Sequence, residues 1–185
     1  MAFAQKGEEG RVAATSVPQE PDDPRLEEIF GPDHVLDNLE ATTREEVIAK
    51  IVGFVAKKGM VNDPRWLEAA LTERERMVPT AMPNGVAFLH ARHRDPARFP
   101  RQFLMLARSR EGVDFGSPDE RRTHLFFLLA FRRDQAHLRW LARLSWVCRR
   151  RNTVAGLLAA KGPEELSRTL ALAVEDLPAN LQVRR

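Results

Sequence analysis

The stretch Thr80-Ala81-Met82-Pro83-Asn84-Gly85-Val86-Ala87-Phe88-Leu89-His90 decides how this 185-residue chain reads. Pro79 to Gly85 is rich in turn formers and closes on Asn84-Gly85, a pair that tolerates the backbone conformations of a tight turn. The apolar run Val86-Ala87-Phe88-Leu89 that follows has strand length, not helix length. His90 stands where that strand ends, and open α/β sheets place ligands and reacting groups at the carboxyl ends of their strands. On position alone, His90 is either such a group or a partly buried histidine hydrogen-bonded to backbone.

Upstream of this stretch the apolar period lengthens from a strand's to a helix's. Thr42 and Thr43 precede Glu45 and Glu46 at capping-box spacing, and Val47, Ile48, Ile51, Val52 and Val55 recur every 3.6 residues up to Lys57-Lys58-Gly59. Asp63-Pro64 supplies an N-cap and a proline at the first helical position for a second helix, with Trp66, Leu67, Ala70 and Leu71 as its stripe and an end near Arg76. Val35, Leu36 and Leu39 form a short segment that joins the domain. Residues 1–24 mix Gly, Glu, Gln, Ser and Pro without apolar period, which predicts a mobile tail ahead of a single domain over 25–185.

Downstream, Phe103 to Ala107 reads as a short strand, and Gly112, Gly116 and Pro118 punctuate the loop expected after it. His124 to Phe131 reads as a fully buried strand. Asp134 can cap a helix whose apolar positions are Leu138, Leu141, Leu144 and Val147, and Asn152 and Pro163 open two more helical segments carrying Leu157, Leu158, Leu166 and Leu170. Strands alternating with helices predict an α/β layered domain.

Composition limits the functions open to it. The longest strictly apolar run, Leu125 to Phe131, is seven residues, against the roughly 20 that cross a bilayer. No charged-then-apolar leader opens the chain, so a cytoplasmic protein without direct membrane insertion is expected. One cysteine, Cys148, excludes an intramolecular disulfide, and it reads as a small buried apolar residue. The formal charge is only +3 and tyrosine is absent, which argues against nucleic acid as a partner. His90, His93 and Asp95 match no strong zinc spacing, so neither metal nor cofactor is expected. Arg92, Arg94, Arg98 and Arg101 make a basic stretch after His90, and Arg149-Arg150-Arg151 another. Each reads as a solvated face or as a docking rim for an acidic partner or phosphate.

Arg74 to His90, then Val113-Asp114-Phe115-Gly116-Ser117-Pro118-Asp119, His124 to Ala130 and Ala136-His137-Leu138 together resemble the IIA domain of the phosphotransferase system, fructose/mannitol and nitrogen-regulatory class. Order and spacing agree over most of residues 35–175. The resemblance implies a mixed β-sheet flanked by helices, and a phosphoryl group accepted on His90 from the phosphocarrier protein HPr or a relative. Where the family pattern has Pro-His-Gly this chain has Leu89-His90-Ala91, and Ala81 and Pro83 replace glycines.

The residue chemistry fits that implied role. Imidazole is largely neutral near pH 7, its unperturbed pKa being about 6.5, and so is a competent nucleophile. Phosphoryl transfer depends on positioning and on neutralising charge over the equatorial oxygens, for which Arg74 offers a cationic fork. His137, three residues after Asp134, belongs to the first turn of its helix, where N–H groups and the dipole favour anions. It is otherwise a surface histidine. Thr80 can donate its hydroxyl, and Asn84-Gly85 either brings backbone to the phosphate or only makes the turn. The expected product is a phosphohistidine, with a separate IIB protein or a regulatory target as recipient. The alternative is a binding module that keeps the fold without phosphoryl transfer.

Overall fold

The structure is a computed structural model that describes residues 21–93 and 95–182. Residues 1–20 of the expected tail, and Arg94 of the basic stretch, lie outside the described residues. In chain order the elements are α1 (Leu26–Ile29), β1 (Val35–Leu36), α2 (Arg44–Lys57), α3 (Pro64–Met77), β2 (Ala81–Met82), β3 (Val86–Leu89), β4 (Phe103–Val113), β5 (Thr123–Ala130), α4 (Asp134–Arg149), α5 (Arg151–Ala159) and α6 (Pro163–Glu175). The five strands form one sheet in the order β1-β4-β5-β3-β2. It is mixed: β1 runs parallel to β4 and β3 parallel to β5, while β4 with β5 and β2 with β3 are antiparallel.

Both faces of the sheet are covered, which is why its central strands read as unbroken apolar runs. Phe88, Leu104, Leu106, Leu125, Phe127 and Leu129 point to the face packed by α1, α4, α5 and α6. Their alternating neighbours Ala87, Leu89, Met105, Ala107, Phe126, Leu128 and Ala130 meet the stripes of α2 and α3 on the other. The two helices of that second layer start as their sequences predict. Thr43 Oγ1 accepts the Glu46 N–H at 3.2 Å while the Glu46 carboxylate takes the Thr42 N–H at 2.7 Å, and Asp63 accepts the Trp66 N–H at 3.0 Å ahead of Pro64.

Three segments depart from the sequence reading. First, β4 does not stop at Ala107 but continues to Val113, with Gly112 at φ +66° where the pairing with β5 shifts register. The polar Arg108-Ser109 pair hid this continuation. Arg108 is 2% exposed, and its Nη2 forms an ion pair with Asp37. Its Nε donates to Asp37 at 2.7 Å, and Nη1 to the carbonyls of Leu157, Leu158 and Ala160 at 2.9, 3.0 and 2.8 Å. It thereby caps the carboxyl end of α5, where unpaired carbonyls and the helix dipole favour a cation.

Second, the buried stripe of α4 is Ala136, His137, Trp140, Arg143, Leu144, Val147 and Cys148. Leu138 faces solvent at 63% exposure, and Leu158 of α5 is likewise exposed. Asp134 is the first helical residue and Arg133 the N-cap. Third, residues 21–24 are held against the domain. Pro21 O accepts from Gln102 Nε2 at 3.3 Å, Pro24 O from Trp140 Nε1 at 3.1 Å, Asp22 pairs with Arg133, and Asp23 takes both Nη groups of Arg143. No helix of the described residues is long and apolar enough to cross a membrane.

Candidate phosphoryl-acceptor site

The parallel register Leu89 opposite Leu128 brings the carboxyl ends of β3 and β5 out at one edge of the sheet. His90 follows β3 there, and the chain leaving β5 turns at Arg132-Arg133 into the first turn of α4, which carries His137. From the other layer, the last turn of α3 delivers Arg74. Arg74, His90 and His137, far apart in sequence, thus meet at one place.

Their geometry is specific. His90 Nδ1 lies 2.8 Å from Phe88 O. A carbonyl only accepts, so this contact places the ring proton on Nδ1 and leaves the lone pair on Nε2. Nε2 in turn accepts from Arg74 Nε at 3.3 Å, and Arg74 Nη1 is anchored on Val78 O at 2.6 Å. The rings of His90 and His137 have centroids 5.0 Å apart and are tilted by 56°. His137 is not a surface residue but is 3% exposed, with Phe131 edge-on at 6.2 Å.

The substitutions that set Leu89-His90-Ala91 apart introduce no strain. Leu89 is fully buried among Phe103, Met105, Phe126 and Leu128, and neither Ala81, Pro83 nor Ala91 needs a positive φ. The left-handed residues of the turn are Asn84 and Gly85, both at φ +81°.

Thr80 lies opposite Phe88, to which its carbonyl is bonded, but its hydroxyl is committed. It donates to the carboxylate of Glu75, and the Thr80 N–H donates to the same group at 2.9 Å. Glu75 is 2% exposed, and burial raises its pKa against the lowering effect of the two Thr80 bonds. The structure therefore makes Thr80 a brace between α3 and β2, not a donor free for phosphate. Glu75 is the residue that sequence reading passed over. Its neighbour Arg74 and the threonine five residues on were its only signal.

Asn84 and Gly85 stand at the opposite end of β3. At about 3.3 Å per residue the strand separates them from His90 by roughly 15–20 Å. Asn84 Nδ2 donates to Cys148 O at 2.5 Å, at the far end of α4 from His137, and Gly85 O accepts from His124 and Leu125. The pair makes the turn and ties the sheet to α4; it does not reach the histidines. Cys148 itself is buried, which pushes its thiol up to about 12. Among the described residues no group of three His, Cys, Asp or Glu side chains is placed to hold a metal ion.

A mixed α/β domain with a strand-end histidine, a second histidine and an arginine converging on it defines a class. Residues 28–172 match the family described as phosphoenolpyruvate-dependent sugar phosphotransferase system, EIIA 2, and the chain belongs to it. The chain is 30% identical, over 131 residues, to the fructose-specific EIIABC component of Bacillus subtilis, covering 70% of its own length and 20% of that protein's. It thus spans a fifth of that longer relative. Over 138 residues it is 26% identical to the mannitol-specific phosphotransferase enzyme IIA component of Enterococcus faecalis, covering 74% of the chain and 92% of the relative. Among solved structures, IIA mannitol from Escherichia coli superposes with a TM-score of 0.67 at 22% identity, over 77% of this chain and 99% of that one. The nitrogen regulatory protein IIA-Ntr from Neisseria meningitidis gives 0.66 at 21%, over 77% and 97%. At such identities these two structures show the shared fold.

Proposed function

We propose that the chain is a phosphoryl carrier in which His90 Nε2 accepts phosphate from the phosphohistidine of an HPr-like protein. The observation that carries this reading is the tautomer fixed at His90: Phe88 O holds the Nδ1 proton and leaves the Nε2 lone pair facing Arg74. That lone pair attacks phosphorus, the donor's N–P bond breaks, and its electron pair returns to the donor imidazole. His90 keeps its Nδ1 proton, now on a cationic ring, donated to Phe88 O.

The incoming phosphoryl group takes the place of the Arg74 Nε contact. Arg74 then passes its N–H groups to phosphoryl oxygens, and the neighbouring imidazole of His137 supplies a further donor. The compartment is the cytoplasm, where a phosphoenolpyruvate-driven donor resides. Its recipient is a separate IIB-type protein or a regulated target. For the E. coli mannitol system, a solved complex joins IIA to phosphorylated IIB.

Intact-mass analysis after incubation with phosphoenolpyruvate, enzyme I and HPr tests the reading, with His90→Ala and His137→Ala alongside. One acid-labile phosphate that depends on His90 is expected. Folded protein that takes up none, while a control IIA domain is loaded in the same mixture, would leave a binding module.

A further inference from the structure

Arg74 and Glu75 are neighbours near the end of α3, about 100° apart around its axis, so one reaches the histidines while the other is buried. Arg74 Nη1 rests on Val78 O at 2.6 Å while its Nε reaches His90 Nε2. Val78 is itself 62% exposed, so its side chain gains little packing that would hold this carbonyl in place. The aim of the guanidinium therefore depends on how firmly the connection from α3 to β2 is fixed.

That connection is three residues, Val78-Pro79-Thr80. The proline ring locks one dihedral and restricts the residue before it to extended backbone, and Val78 stands at φ −154°, ψ 124°. What is left to fix is the far end, Thr80. Glu75 fixes it twice, one carboxylate oxygen taking the Thr80 N–H at 2.9 Å and the other its hydroxyl, with both residues buried. On the strand side, the Thr80 carbonyl accepts at 3.3 Å from the N–H of Phe88, whose own carbonyl holds the His90 ring. A buried carboxylate is costly even when bonded, and apolar side chains packed in its place are often no less stable. Apolar packing cannot aim a backbone segment, whereas a carboxylate bonded through both oxygens can.

We infer that Glu75 is a positioning residue for phosphoryl transfer: by clamping Thr80 it holds Val78 O where the Arg74 fork must rest to meet His90 Nε2. Glu75 acts through Thr80, Val78 and Arg74 and needs no contact with the phosphoryl group. The inference rests on the carrier reading above and adds to it a residue buried behind the site.

Phosphoramidate, a small donor that needs no docking face, loads His90 directly, and hydrogen exchange of the Arg74 Nε–H, followed by NMR, reports how firmly the fork is held. Glu75→Ala removes the clamp. As folded protein it should load at least about tenfold more slowly, since small misplacements beside the reacting atoms cost that much. Its Arg74 Nε–H should exchange about tenfold faster. Glu75→Gln keeps an acceptor for the Thr80 N–H and can donate to Thr80 Oγ, so both readings should return to within about threefold of wild type. Arg108→Met, which removes a buried cation elsewhere in the fold, should change neither.

Loading of Glu75→Ala within about twofold of wild type overturns the inference. So does slower loading with Arg74 exchange unchanged, the same losses in Arg108→Met, or Glu75→Gln as slow as Glu75→Ala. If Glu75→Ala does not fold, Glu75→Gln with Thr80→Val, which keeps the N–H bond and removes the hydroxyl, is judged on the same two readings with about threefold as the threshold. Folded wild type that phosphoramidate leaves unlabelled at His90 sinks the carrier reading by itself. The clamp is then judged on Arg74 exchange alone: faster exchange in Glu75→Ala upholds it, and unchanged exchange rejects it.

Discussion

Arg74 holds two acceptors, His90 Nε2 through Nε and Val78 O through Nη1, and the flexible ammonium of lysine lacks the planar fork that aims separate nitrogens at both. Arg74→Lys is therefore expected to keep the fold and slow loading of His90 by about 10- to 100-fold, read by rapid quench, since a charged donor aimed at developing charge contributes a few kcal/mol. A rate within twofold of wild type would remove Arg74 from the transfer step. Glu75, one residue on, makes a pH prediction. Its folded-state pKa is raised above the unfolded value by burial, so the stability it contributes is full below about pH 4.5 and is lost as pH rises through the folded pKa. Glu75→Gln cannot ionise and can still accept the Thr80 N–H. In urea melts the two proteins should match near pH 4, and the variant should become the more stable as pH rises to 8. A constant difference across that range would contradict the assignment.

At the scale of elements, what the sequence made legible were the parts whose burial is apolar. α2 and α3 carry their caps and stripes in plain view, and the doubly buried strands β3 and β5 read as short unbroken runs. What stayed hidden was polar residues buried because distant groups satisfy them. Arg108 looks like the end of a strand until Asp37 and the carbonyls of α5 are known to surround it. In α4, His137, Trp140 and Arg143 occupy the inner face, so counting only leucine and valine put Leu138 inside. The site was legible to the same degree. Arg74, His90 and His137 converge as their motif implied, whereas Thr80 turned to Glu75 and Asn84-Gly85 went to the far end of β3, because spacing along a chain does not say at which end of a strand a turn will lie.

Arg108→Met tests the buried cation. It strands Asp37 and three carbonyls at once, and should cost about 3–5 kcal/mol, or a Tm lower by roughly 6–20 °C for a domain of this size. Loading of His90 by phosphoramidate below that Tm should be unchanged. A Tm within 2 °C of wild type would mean that methionine packing replaces the ion pair at no cost.

Over the whole molecule, the sheet serves as a floor with two separate cores, and the site lies where both reach the same edge: Arg74 from the α3 side, His137 from the α4 side. Neither layer alone completes it. The segment 21–24 adds a third tie, since Arg143 on α4 binds Asp23 by both Nη groups and Leu181 O by Nε at 2.7 Å. One guanidinium thus joins the first described residues to the last, within the span of a single side chain. A ring could be closed there with a few glycines, because joining ends already held together costs little loop entropy. A circular permutant of residues 21–182, closed in this way and opened at the exposed turn between Glu120 and Arg121, is expected to fold with both histidines in place, as near-ultraviolet circular dichroism and phosphoramidate labelling would report. For evolution the same feature means a cassette: a unit whose entry and exit share one spot can be spliced into a longer polypeptide as a single insertion.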